Sequence, residues 1–361
     1  LNNGRRKREI GNIKWLVLLI LLAVSSVLLL QGEEETEVLV LEHAGRMNRR
    51  VEEERVILYL YEDVRWKKGE TAIESDFATY REDEGWLRLL DGVTVTEPER
   101  TITSDTLDYY EEPDEVIARG NVVVSSENGT RELRTTNLVY RRAANHMTAT
   151  NRPIITVTKV EEGDEGDTTA LVIEGDRVIA SGEDSLHVVG QVTVEGDSMN
   201  ARCDSAFYDL EGDRIHLREE PVMSVTGYTA WGREIDLYAP EEELEEVVVR
   251  GDAEAEGTKK LEEKQDEEGE AREAGEERYW TSADSLILHF AEKKLQSLAA
   301  FSRAKSLVLR EKPNGVVEKN YVTGQEIAVE VKDRKVEKVR VAGQGKGVYV
   351  MPPDTLEGSA E

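Results

Sequence analysis

The side chains able to do chemistry in this 361-residue chain are mostly carboxylates: 75 Asp and Glu stand against 46 Lys and Arg, with five histidines and one cysteine. Paired carboxylates are the equipment of polysaccharide-cleaving enzymes, one acting as acid and one as base. Acidic pairs occur throughout, however, and Asp204 with Asp209 follows a repeating rhythm rather than marking a site. His43, His146, His187, His216 and His289 stand singly, without the i, i+4 pairing or the cysteine partners of a zinc set. Cys203 has no second cysteine with which to form an intramolecular disulfide and reads as a small apolar side chain. Neither a Ser-His-Asp nor a Cys-His arrangement is suggested, and the phosphate loop GxxxxGK[ST] is absent. A net charge of -29 repels nucleic acid, because it leaves no basic stripe to displace counterions. No catalytic residue, metal, cofactor or nucleic-acid partner is therefore expected.

What remains is an apolar pattern, and the elements that carry it repeat. ITSDTLDYY followed by ARGNVVVSS, IEGDRVIAS followed by VVGQVTVEG, and RCDSAFYDL followed by REEPVMSV are copies of one unit, an alternating strand, a turn and a second strand. Asp76, Asp105, Thr136, Asp176, Asp204, Glu234, Asp284 and Glu326 occupy equivalent positions, at steps of 28 to 50 residues. The long steps contain the insertions KVEEGDEGDTT, the acidic stretch 256–278, and REKPNGVVEKNY. Asn128-Gly129 signals a type I′ turn, and EEPDE, DLEGDR and VKDRK mark reversals at matching places. Eight such modules give roughly sixteen strands, each copy needing its neighbour to cover an apolar face. The repeat aspartates are expected to bind backbone at turns or strand starts.

Period-2 alternation puts one face of each strand in a dry interior. The inward residues on this reading are Leu107, Tyr109, Val122, Val124, Leu138, Tyr140, Val178, Val192, Val194, Ala206, Tyr208 and Val222. They are the candidate binding residues, and the same alternation would serve to build a core. Gly92, Gly120, Gly190, Gly251 and Gly343 interrupt strands at one height in the repeat. Such glycines permit a bulge or bend, so the long strands can fold over along a crease into two sheets enclosing an apolar trough. The alternative is that they only mark turns between separate strands.

The amino terminus places Arg5, Arg6, Lys7, Arg8 and Lys14 before an apolar run from Trp15 to Leu30 and acid at Glu33 to Glu35. This polarity puts residues 33 onward outside the cytoplasm. The organisation is then a basic cytoplasmic segment 1–14, a transmembrane anchor 15–32, a linker 33–55, repeats over 56–350 and a tail 351–361. A signal peptide cleaved after Ala23-Val24-Ser25 is the alternative, which would leave a periplasmic protein.

The phrase Asp-x-hydrophobic-x-Tyr, turn, Arg-Gly-Asn-Val, recurring in order, resembles the OstA-like repeats of the periplasmic lipopolysaccharide-transport proteins, the LptA and LptC group. The likeness spans about residues 56 to 350 and is also carried by CDSAFYDLEGDRIHLREEPVMSV. It implies an all-β fold, an open β-jellyroll of about eight hairpin-like repeats preceded by one N-terminal transmembrane helix. It further implies a non-enzymatic carrier of lipopolysaccharide acyl chains that stacks edge to edge with other jellyrolls and depends on an ABC transporter complex in the inner membrane. An anchor joined to this many repeats departs from the family pattern and leaves its station on the export path open. Two other classes stay in view: a parallel β-helical enzyme acting on polysaccharide, and a passive cell-envelope stalk with a filled core.

Overall fold

The computed structural model describes residues 37–52, 55–126, 129–160, 168–182, 185–196, 199–209, 212–240, 244–260, 276–311, 317–332 and 335–350. Its strands are β1 (Val40–His43), β2 (Arg46–Glu52), β3 (Arg55–Lys68), β4 (Thr71–Arg81), β5 (Trp86–Thr96), β6 (Arg100–Tyr110), β7 (Glu115–Ser126) and β8 (Arg131–Arg141). There follow β9 (His146–Thr150), β10 (Ile154–Val160), β11 (Thr168–Glu174), β12 (Arg177–Ser181), β13 (Ser185–Glu195), β14 (Met199–Asp209), β15 (Arg214–Arg218) and β16 (Val222–Val225). The series ends with β17 (Tyr228–Trp231), β18 (Glu234–Tyr238), β19 (Glu246–Lys260), β20 (Glu276–Ala291), β21 (Lys294–Glu311), β22 (Val317–Lys332), β23 (Lys335–Ala342) and β24 (Lys346–Val350). The fold is all-β, and every pairing among the described residues is antiparallel. A parallel β-helix is thereby excluded for these residues.

The strands form one meander creased along its length. In β6 and β7 the pairing jumps from Thr103↔Val123 to Thr106↔Arg119, so β7 carries one residue more than its partner. A one-residue bulge of this kind bends and twists the strand that carries it. The same jump recurs in β4 with β5, β13 with β14, β19 with β20 and β21 with β22. At each bend two successive residues adopt positive φ: Glu62-Asp63, Asp91-Gly92, Gly120-Asn121, Asn151-Arg152, Gly190-Gln191, Glu219-Glu220, Gly251-Asp252, Ser302-Arg303 and Gly343-Gln344. Glycine occupies many of these steps because the left-handed region costs it nothing, whereas a side chain there is strained. The strand glycines therefore bend strands rather than end them. Where the bend breaks the ladder outright, one long strand is divided, as in β9 and β10 or β15 and β16, which together with the strands before Asp76 gives the described residues 24 strands where about sixteen are expected.

The crease separates two layers. Sheet I contains β2, the first half of β3, the 77–81 end of β4, and so on through β9, β12, β15, β18 and β23; sheet II contains β1, the second half of β3, and then β10, β11, β16, β17 and β24. Their inner faces share one apolar core, with Leu89, Leu107 and Leu138 from sheet I packed with Val95, Ile102 and Val122 from sheet II. Among the described residues β1 and β2 pair only with β3, and β23 and β24 pair only with β22, so both layers end there in edges rather than closing into a barrel.

Several expectations need correction. β1 and β2 fall inside the segment read as a linker, 33–55. The acidic stretch 256–278 is partly strand, since Lys260 pairs with Glu276 and only 261–275 lie outside the description. The crease positions in the later modules are Arg233 and Gln325, one residue before Glu234 and Glu326, because those are the side chains facing Gly251 and Gly343. The repeat aspartates sit in the crease rather than at turns: Asp105 accepts two hydrogen bonds from Asn121 Nδ2, at 3.1 and 3.0 Å. The proposed anchor and the alternative cleavage site fall on residues outside the description, as does Asn128. Among the described residues no helix is long and apolar enough to cross a membrane.

Candidate functional site: an apolar cavity beside a polar latch

Opposite the crease lies the flank where the hairpin turns of the two sheets approach each other. In the N-terminal part this flank is tied shut. Lys68, ending the sheet II half of β3, donates to Tyr109 Oη at 2.7 Å and to Asp114 Oδ1 at 3.0 Å on sheet I. Arg142, following β8 of sheet I, donates to Glu97 Oε1 at 2.9 Å and Thr71 Oγ1 at 2.8 Å on sheet II. Trp66 of sheet II packs on Tyr80 of sheet I with ring centroids 5.2 Å apart, and Arg100 lies over the Tyr140 ring at 5.3 Å. These contacts form a latch across the mouth of the trough.

The latch is electrostatically matched. Burial opposes charge on Lys68, but its hydrogen bonds to Tyr109 and Asp114 outweigh this and raise its pKa. Burial likewise opposes ionisation of Asp114, yet Lys68, Tyr109 and Arg142 hold its carboxyl below the usual carboxylate range. Burial pushes the Tyr109 phenol up, keeping it a neutral donor to Asp114 Oδ1 at 2.8 Å. A polar recess of about 310 Å³ lies over Thr71, Glu97, Asp114 and Arg142.

Beyond the Arg100–Tyr140 contact the character changes. An apolar cavity of about 390 Å³ opens between the sheets, lined by Met147, Ala149, Val178, Ala180, Leu186 and Tyr208 from sheet I and by Val124, Leu133, Ile155, Val157 and Ile173 from sheet II. Its size lies within the roughly 300–1,000 Å³ of small-molecule sites. Val124, Leu133, Ala180, Leu186 and Tyr208 are only partly buried and surround the opening. The rim is polar, with Glu99, Arg100, Ser126, Arg131 and Glu132. Such a lining can solvate apolar chains, each buried methylene gaining about 0.8 kcal/mol.

The sequence-derived candidates divide into groups. Val124, Val178 and Tyr208 line the cavity. Leu107, Val122, Leu138, Val192, Val194 and Ala206 are buried between the sheets. Tyr109 and Tyr140 are buried at the latched flank, where Tyr109 joins Lys68 and Tyr140 lies under Arg100. Val222 is a correction to the inward set: it pairs with Arg202 and Trp231 on the outer face, while Met223 faces Ala201 and Ala230 inside. The Glu219-Glu220 step takes up two residues without swapping faces, so the odd-numbered phase of Ile215 and Leu217 continues to Met223. Ile155 and Val157 were within reach of the alternation in PIITV. Lys68, Glu97 and Arg142 carried no sequence signal, because the partners that tie them across the flank lie 41 to 71 residues away.

Cys203 is a buried thiol, pushed up to about 11 by burial. It donates to the Ser205 carbonyl at 3.2 Å and packs as a core side chain.

No curated protein matches the chain. The crystal structure of LptH, described as the LptA homologous periplasmic component of the conserved lipopolysaccharide transport device from Pseudomonas aeruginosa, is similar over 43% of this chain and 95% of that one, at 14% identity and a TM-score of 0.30. Residues 101–243 match the model of the family described as LptA/(LptD N-terminal domain) LPS transport protein, a stretch that contains the whole lining of the apolar cavity except the rim residues Glu99 and Arg100. Over residues 101–243 the chain is similar to the OstA-like lipopolysaccharide-transport family that its repeats resemble.

Proposed function

We propose that the protein is a non-enzymatic, extracytoplasmic carrier that holds lipopolysaccharide acyl chains between its two sheets while sugars and phosphates stay in water. The observation that carries this reading is the apolar, partly open cavity between Val124 and Tyr208, inside the stretch that matches the transport family. In this reading the free edges dock against other jellyrolls by strand addition, which satisfies their unpaired backbone. The edges are also apolar where they face water, through Val40, Met47 and Val51 at one end and Val348, Tyr349 and Val350 at the other. The run Trp15–Leu30 would tether the carrier to the inner membrane, beside the ABC transporter that supplies the energy. The repeat unit, about eight copies of it, would provide the length of the bridge.

The test is photo-crosslinking in cells from a reactive residue at Val124 or Tyr208, with Phe207 on the outer face as control. Adducts with lipopolysaccharide are expected at the first two positions and not at Phe207, which is 40% exposed outside the trough. A dry interior, with no lipid adduct at either inward position, would overturn the carrier reading.

A further inference from the structure

The latch and the cavity sit in one trough, yet they treat an apolar chain in opposite ways. Beneath the latch Leu87, Leu89, Leu107 and Ile102 are each no more than 1% exposed, and none of them lines the cavity. The cavity begins where the cross-flank contacts end, at Arg100. We propose that Lys68, Asp114, Arg142 and Glu97 form a gate that bars acyl chains from the N-terminal part of the trough, so that passage toward the β1–β2 edge requires this cluster to open. The inference rests on the carrier reading above.

Three features support a gate rather than a fixed seam. Its contacts are charge-assisted hydrogen bonds between turns, and such contacts can exchange for water when the sheets part, whereas a packed apolar seam would expose its surface. It joins sheet I to sheet II only through side chains, with no ladder hydrogen bonds to break. And the Trp66 indole N–H, on a residue only 4% exposed just inside the latch, has no hydrogen-bond partner among the described residues. A buried donor left unpaired is costly, and an acyl ester or hydroxyl passing beneath the latch would pair it.

The experiment uses the full chain and a diazirine-bearing palmitic acid, with labelled residues located by mass spectrometry. In the wild-type protein label is expected around Val124, Val178 and Leu186 and not on Leu87 or Leu107. In the K68M/R142M variant label is expected to spread to Leu87 and Leu107. Should that variant fail to fold, E97L/T71V removes both sheet II partners of Arg142 while keeping the cations, and a weaker spread in the same direction is expected. Cavity labelling that stays confined in every folded variant overturns the gate and leaves the carrier standing. Label beneath the latch in the wild type also overturns the gate alone. Absence of label from the interior of all of them overturns both.

Discussion

Gly190 shows what a single crease residue must do. It has φ 83°, and a Cβ built on it would collide with the Asp176 carboxylate from the step between β11 and β12. Gly190→Ala therefore carries two costs: the left-handed backbone, about 1–2 kcal/mol for an L-residue, and the clash. We expect it to destabilise the protein by about 2–3 kcal/mol in urea unfolding. In an Asp176→Ala background, which removes the carboxylate but leaves a Cβ 2.9 Å away, the penalty should fall without reaching the backbone part alone, about 1–2 kcal/mol; an unchanged penalty would show that the carboxylate is not the obstacle. On the outer face, Asp236 accepts from His216 Nδ1 at 2.8 Å, from Arg218 Nη1 at 2.8 Å and from Arg250. Burial raises its pKa, but these donors lower it more, from 3.8 to about 2. A depressed carboxylate contributes stability that is fully present above the unfolded value and is lost as pH falls through the folded one. The contribution is about 2 kcal/mol, present above pH ~4 and gone near pH ~2. The stability difference between wild type and Asp236→Asn should accordingly shrink on acidification across that window, and a difference independent of pH would refute the assignment.

At the scale of the strand, the edges carry the next expectation. β23 and β24 both lean on β22 alone, and β24 is exposed along its whole length. Deleting residues 343–350 removes the sheet II edge together with its Val348, Tyr349 and Val350 surface, so edge-to-edge assembly, followed by sedimentation, should be lost while the cooperative melt remains. Unchanged assembly would place the docking surface elsewhere. The strands themselves were legible because period-2 alternation is a local signal: Val192 and Val194, or Leu107 with Tyr109, announce a buried face without reference to any other strand. The crease was legible for a similar reason, since Gly120-Asn121 and Gly190-Gln191 need a left-handed backbone that few residue types supply. What escaped was a face set by the neighbouring strand and everything depending on partners far along the chain. Val222 was assigned inward, whereas the odd-numbered phase of Ile215 and Leu217 runs through Glu219-Glu220 unchanged and puts Met223 inside. The latch escaped because Lys68, Glu97 and Arg142 read locally as ordinary turn charges, and only the folding of sheet I over sheet II makes them neighbours.

For the molecule as a whole, two sheets joined along one line and tied by the latch along part of the other leave an apolar cavity between them. Ligand that binds the folded state and not the unfolded chain raises stability by mass action, about 2.7 kcal/mol at a hundredfold excess over Kd. An acylated ligand seated between the sheets should thus raise the melting temperature with increasing concentration, whereas a soluble, deacylated saccharide of the same head group should not. Leu186→Asp sets a carboxylate at the mouth of the cavity, on a side chain that is only partly buried. Its charge would have to be desolvated by an entering chain, which costs far more than the lost methylenes return. The variant should keep its cooperative melt in the absence of lipid and lose the lipid-dependent rise. If the rise survives Leu186→Asp, the chains are seated outside the cavity, and the filled core, rather than the gap within it, is what the two sheets were folded to make.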